Sequence, residues 1–154
     1  MDVKTTEPDT VAYIVMRGPY AQMSEAMGRL YGWVAQHGLQ PAGMPSGVYM
    51  TDPATVGQEH AAWEVRAPIA GDPPDAAPDS SDCGIKHVES RLVTYTMYRG
   101  PCDQIAPTYD EMSAWIGANG YSIAGPPEEI YISDPATTPA SEYLTEIRFP
   151  VEKA

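Results

Sequence analysis

The chain repeats itself. Arg17-Gly18-Pro19 recurs as Arg99-Gly100-Pro101, and 99 − 17 gives an offset of 82. The same offset carries Trp33 onto Trp115, Gly38 onto Gly120, Gly43 onto Gly125 and Tyr49 onto Tyr131. It also carries Asp52-Pro53-Ala54-Thr55 onto Asp134-Pro135-Ala136-Thr137, Glu64 onto Glu146, Arg66 onto Arg148 and Pro68 onto Pro150. Residues 11–69 lie against 93–151 without a gap, and 19 of the 59 aligned positions are identical. Chance would give roughly 3 or 4 at average residue usage. A period this long, in two copies only, excludes a solenoid or propeller. The chain is therefore expected to be a tandem duplication of one β-α-β-β module.

Each copy carries the same element signals. Val11-Ala12-Tyr13-Ile14-Val15-Met16 is β-branched and aromatic, the composition of a strand. Gly18-Pro19 ends it. Residues 20–37 then place Met23, Met27, Leu30 and Val34 at helical spacing, which predicts an amphipathic helix stopped by Gly38. The second copy repeats the stripe with Ile105, Tyr109, Met112 and Ile116 and stops at Asn119-Gly120. Short strands are expected at 48–51 and 130–133, and longer ones at 59–69 and 141–151. In the last strand Thr145, Ile147, Phe149 and Val151 alternate with Glu146 and Arg148. Successive strand residues point to opposite faces, so the apolar set should meet the helix and Glu146 should project from the other side. Trp63, Val65, Ala67 and Ile69 against Glu64 and Arg66 make the same division in the first copy.

The expected organisation is a frayed N-terminus at 1–10, a first module at 11–69, a flexible linker at 70–86 and a second module at 87–154. The fold class is α+β, with pseudo-two-fold antiparallel sheets forming a concave cleft and helices on the opposite face. Glu64 and Glu146 would then lie inside the cleft. Ten Tyr and three Trp against a single Phe favour a cleft lined by hydroxyl-bearing rings rather than an ordinary core. Tyr49, Tyr131, Tyr98, Met16 and Arg148 complete the candidate ligand-binding set. Such rings around a carboxylate suit flat or cationic organic molecules.

The net charge of −12 argues against contact with nucleic-acid phosphates. Cys83 and Cys102 are too few for a disulfide framework and read as free thiols, and no metal-ligand or nucleotide-loop spacing occurs. No metal or other cofactor is expected. The polar N-terminus and the lack of a long apolar run lead us to expect a cytoplasmic protein without signal peptide or membrane span.

Met97-Tyr98-Arg99-Gly100-Pro101, Glu129-Ile130-Tyr131-Ile132-Ser133-Asp134-Pro135 and Thr145-Glu146-Ile147-Arg148-Phe149-Pro150-Val151, in this order inside a duplication, resemble the GyrI-like small-molecule-binding domains. These are the effector-binding modules of AraC-type and MerR-type bacterial regulators. The resemblance implies a ligand cleft between two modules and places the family's hallmark acid on Glu146. It implies that the chain binds or sequesters aromatic or cationic compounds; with about ten residues before the first strand, a stand-alone protein without a DNA-binding domain, monomer or homodimer, is expected. Two alternatives come with it. One is a hydrolase of strained, cyclopropane-bearing natural products, with Glu146 as general base and Tyr131 as proton donor. The other is an inhibitor of a protein partner, such as gyrase.

Overall fold

In a computed structural model, residues 1–51, 57–134 and 136–154 are described. The Asp-Pro turn expected at 52–55 lies outside them, as does Pro135 of its counterpart. The strands are β1 (Asp2–Thr5), β2 (Asp9–Arg17), β3 (Ser46–Tyr49), β4 (Ala62–Pro68) and β5 (Cys83–Val88), followed by β6 (Leu92–Arg99), β7 (Tyr121–Ile123), β8 (Glu128–Tyr131) and β9 (Leu144–Lys153). Two helices stand among the described residues, α1 (Met23–Gln36) and α2 (Ala106–Ala118), each preceded by a short 3-10 turn. The fold is α+β, and the strand pairs are antiparallel.

The chain divides into two units. The first is Pro8–Glu89; the second is Met1–Glu7 with Ser90–Ala154. In the first unit the strands run β3-β4-β2-β5, and α1 covers one face. Ala12, Ile14 and Met16 of β2 and Trp63, Val65 and Ala67 of β4 point to that face and meet Ala26, Leu30, Trp33 and Val34 of α1. In the second unit the order is β1-β6-β9-β8, with β7 against the end of β9. There Ile147, Phe149 and Val151 meet Met112 and Ile116 of α2. Burial of each such side chain contributes about 1.5–3 kcal/mol, so the alternation read from the sequence is what seats each helix. Gly38 (φ 68°) and Gly120 (φ 80°) end the helices in the left-handed region that a side chain disfavours.

Three expectations change. The N-terminus does not fray: β1 pairs with β6, in register from Asp2↔Tyr95 to Thr5↔Leu92, and Thr6 N–H donates to Arg91 O at 2.8 Å. The 70–86 segment is no loose linker. Its end is β5, paired with β2, and Ala76 exchanges backbone hydrogen bonds with Ile85, 2.9 Å each way. Trp33 Nε1 also donates to Asp79 at 2.7 Å. Finally, the short strands begin two residues earlier than expected, at Ser46 and Glu128. Glu128 and Glu129 have low strand propensity, so the sequence places the start of the strand after them.

Candidate functional site

The two repeat-related carboxylates sit on the sheet face away from the helix, as alternation requires, and each is already held. Glu64, 3% exposed, accepts from Arg66 Nε at 2.6 Å and pairs with Lys86 Nζ at 2.7 Å. Glu146 accepts from Arg148 Nε and from Lys4 Nζ, the latter at 3.1 and 3.2 Å to its two oxygens. Each lysine lies over a tyrosine ring, Lys86 over Tyr13 at 4.3 Å and Lys4 over Tyr95 at 4.1 Å. The lysines come from β5 and β1, the two segments not expected to be strands. Their separation, 86 − 4, is again 82, a correspondence hidden until β1 and β5 are seen to be equivalent edge strands.

The remaining candidates do not join these acids. Met16 is buried in the first core, opposite Trp63 across β2 and β4. Tyr49 faces the same core, with its ring edge-on to Tyr20 at 4.9 Å. Tyr98 packs on the second core and donates its hydroxyl to Pro101 O at 2.7 Å. Tyr131 stands opposite Thr145, on the helix-facing side of its sheet. The candidate set therefore splits by strand parity: Glu64, Glu146 and Arg148 on one face, Met16, Tyr49, Tyr98 and Tyr131 on the other.

On the helix-facing side of the second unit lies an acid that the sequence reading passed over. Glu129, 7% exposed, is opposite Ile147 of the core. It accepts hydrogen bonds from the hydroxyl of Tyr109 on α2 and, at 3.3 Å, from that of Tyr131. Burial raises its carboxyl above the ordinary carboxylate range, while the two hydroxyls, Tyr109 first, pull it back. The Cys102 thiol, just before α2, is pushed up by its own burial and then by the Glu129 charge. No Lys, Arg or His pairs with Glu129 among the described residues. The signal available in the sequence was Tyr131 two residues after Glu129, but a strand expected to begin at residue 130 gave Glu129 no face.

Elsewhere, Arg91 donates to Glu128 at 2.7 Å on β8. His87 of β5 is held between Asp75 at Nδ1 and Asp72 at Nε2, the latter at 2.7 Å. Both thiols are free, and burial pushes Cys83 up to about 11. Among the described residues no three His, Cys, Asp or Glu converge as a metal site, and no helix is long and apolar enough to cross a membrane.

The α+β fold of this chain has solved counterparts. The EcmrR C-terminal domain matches with a TM-score of 0.83 at 18% identity, over 99% of this chain and 97% of that one. In an EcmrR–DNA complex the same share of this chain matches with a TM-score of 0.85 and 18% identity, but spans only 57% of the EcmrR chain. A hydrolase from Listeria innocua matches at 0.71 and 15% identity, over 98% of this chain and 91% of that one. SAV2435 bound to tetraphenylphosphonium matches at 0.55 and 14%, over 98% and 93%. At these identities the likeness is one of fold. No curated protein matches in sequence. The chain belongs to the GyrI-like small molecule binding domain family, whose model matches residues 1–152.

Proposed function

We propose that this chain binds a small organic molecule. The observation that carries the reading is the family match over residues 1–152. The scaffold is read as a duplicated β-α-β-β module. Support comes from the order strand, 3-10 turn, helix, strands in both units, and from the matching Arg and Lys partners of Glu64 and Glu146. The cleft expected between the two modules stays part of this proposal and rests on the repeat. The test is a thermal-shift and tryptophan-fluorescence screen of flat, cationic and neutral aromatic compounds, each mixture then checked by mass spectrometry. Saturable stabilisation by an unchanged compound supports binding. No shift with any compound would refute it.

A second reading, hydrolysis of a strained electrophile, is favoured by Glu129. A carboxyl raised by burial and touched by two phenol hydroxyls has the make-up of an acid–base pair, a form of help worth about 10²–10⁴-fold. The fold likeness to the Listeria innocua hydrolase is compatible with it. Glu146, assigned the role of base from the sequence, is less suited, because its charge is already compensated by Lys4 and Arg148. Recovery of a water-added product with wild type, and not with Glu129→Gln, is the outcome this reading expects.

A further inference from the structure

The edge strands of the two units differ in what covers them. β5 has β2 on one side and the 70–82 segment on the other, where Ala76 and Ile85 exchange backbone hydrogen bonds of 2.9 Å each way. β1 has β6 on one side and, among the described residues, no strand on the other. The offset of 82 sets Val3 where β5 has Ile85. The ladder of β1 agrees with that placement. Thr6 N–H donates to Arg91 O at 2.8 Å, and opposed residues of an antiparallel pair alternate between bonded and unbonded. Lys4 and Asp2, opposite Val93 and Tyr95, are therefore bonded to β6, and Val3 and Thr5 turn their N–H and C=O groups away from it. On that outer side Val3 N–H donates to the carboxylate of its own neighbour, Asp2, at 2.8 Å in an exposed position.

We propose that β1 pairs with β1 of a second copy of this chain, antiparallel and about a two-fold axis through Val3, to form a reversible dimer. In this register Val3 opposes the partner's Val3, and the two exchange both backbone bonds as Ala76 and Ile85 do. Asp2 opposes the partner's Lys4, and Lys4 opposes the partner's Asp2, so the axis generates two cross-strand ion pairs. Charge selects this register. An axis through Lys4 would set the two ammonium groups against each other, and one through Thr5 would leave Lys4 opposite Thr6 and Val3 opposite Glu7. Unlike charges directly opposed stabilise a strand pair, and like charges disfavour it. Charges on a short edge strand ordinarily keep other strands away; here they favour one self-pairing. The same edge is used on both copies and the β5 edge is already covered, so assembly stops at two. A strand pair this short buries less than about 1,200 Å², the lower bound of a standard interface, so dissociation is expected at about 10 μM to 1 mM.

The test is sedimentation equilibrium of the full chain from about 5 μM to about 1 mM, a range spanning that affinity. Wild type should pass from monomer to dimer. Val3→Pro removes the outward N–H without touching the bonds to β6, a place where an edge strand tolerates proline; it should remain monomeric throughout. Asp2→Lys sets like charges across the axis at both ends and should weaken the dimer about tenfold or more. On the wild-type chain, independent of any variant's folding, amide exchange at Val3 and Thr5 should slow as concentration rises. Exchange at Lys4, whose amide faces β6, should not change. A monomer at every concentration, or exchange at Val3 that ignores concentration, would overturn the proposal. A dimer undiminished in Val3→Pro would show that another surface makes it. A dimer lost in Val3→Pro but unchanged in Asp2→Lys would overturn the Val3-centred register.

Discussion

At the scale of single residues, burial decides how much each ion pair matters. The side chain of Glu64 is 4% exposed and that of Glu146 13%. Breaking a buried pair by removing one partner costs about 3–5 kcal/mol, mostly because the other charge is left uncompensated. Glu64→Ala should approach that range. Glu146→Ala should cost less, about 1–2 kcal/mol, because its arginine partner is also the more exposed, 23% for Arg148 against 11% for Arg66, and can turn to water. Urea unfolding of the two variants side by side checks the order; an equal or larger loss at Glu146 would mean that burial is not what sets it. His87 gives a pH dependence of defined sign. Its hydrogen bonds to Asp72 and then Asp75 raise it above the ordinary histidine value. The stability it contributes is therefore fully present below the unfolded-state pKa of about 6.5 and is lost as pH rises through the raised folded-state value. Hydrogen exchange at the Ala76 amide, faster in His87→Ala than in wild type at mildly acidic pH and converging with it at alkaline pH, is the expected pattern.

At the scale of elements, the two edge strands are what complete the acid sites. β1 precedes the first unit in the chain yet pairs with β6 of the second, while β5 closes the first unit. Deleting Met1–Glu7 should unpair the edge of β6 and strip Lys4 from Glu146. Hydrogen-exchange mass spectrometry should show the loss of protection concentrated in Ser90–Ala154, with Pro8–Glu89 far less affected. β5 depends on a close approach of backbones. A Cβ at Gly84 would meet Ala76 O at 2.4 Å, so Gly84→Ala must push the 70–82 segment off the strand. Overpacking of this kind costs about 1–3 kcal/mol; chemical denaturation measures it, and an unchanged midpoint would show that the segment yields without loss.

At the scale of the whole molecule, charge separates the kinds of partner. The chain carries −12, of which residues 93–151 hold −6 (two basic, eight acidic side chains) and 11–69 only −1 (three basic, four acidic). A basic protein held by this field would lose affinity steeply in salt, because the screening length falls from about 10 Å at 0.1 M to about 3 Å at 1 M. A neutral aromatic ligand should hold its affinity within about twofold over that range, since its binding is burial rather than attraction at a distance. Titrations at two salt concentrations distinguish the cases, and a steep loss for the neutral ligand would count against the small-molecule reading.

Much of the fold was legible because periodicity is a local property. The stripe from Met23 to Val34, the alternation from Thr145 to Val151 and the stops at Gly38 and Gly120 each state, within a few residues, which side faces a core. That logic correctly separated Glu64 and Glu146 from Trp63 and Ile147. It did not carry over to Met16, Tyr49, Tyr98 and Tyr131, grouped with the acids by chemistry although their parity puts them on the helix side. What only the tertiary structure decided were the non-local partners. The lysines that neutralise Glu64 and Glu146 are 22 and 142 positions away, on strands whose pairing lies far along the chain. Glu129 acquired meaning only when β8 was seen to begin at Glu128, placing its carboxylate beneath Tyr109 of α2. A residue's face can be read from its neighbours in sequence; whether its charge is already answered depends on residues that only folding brings to it.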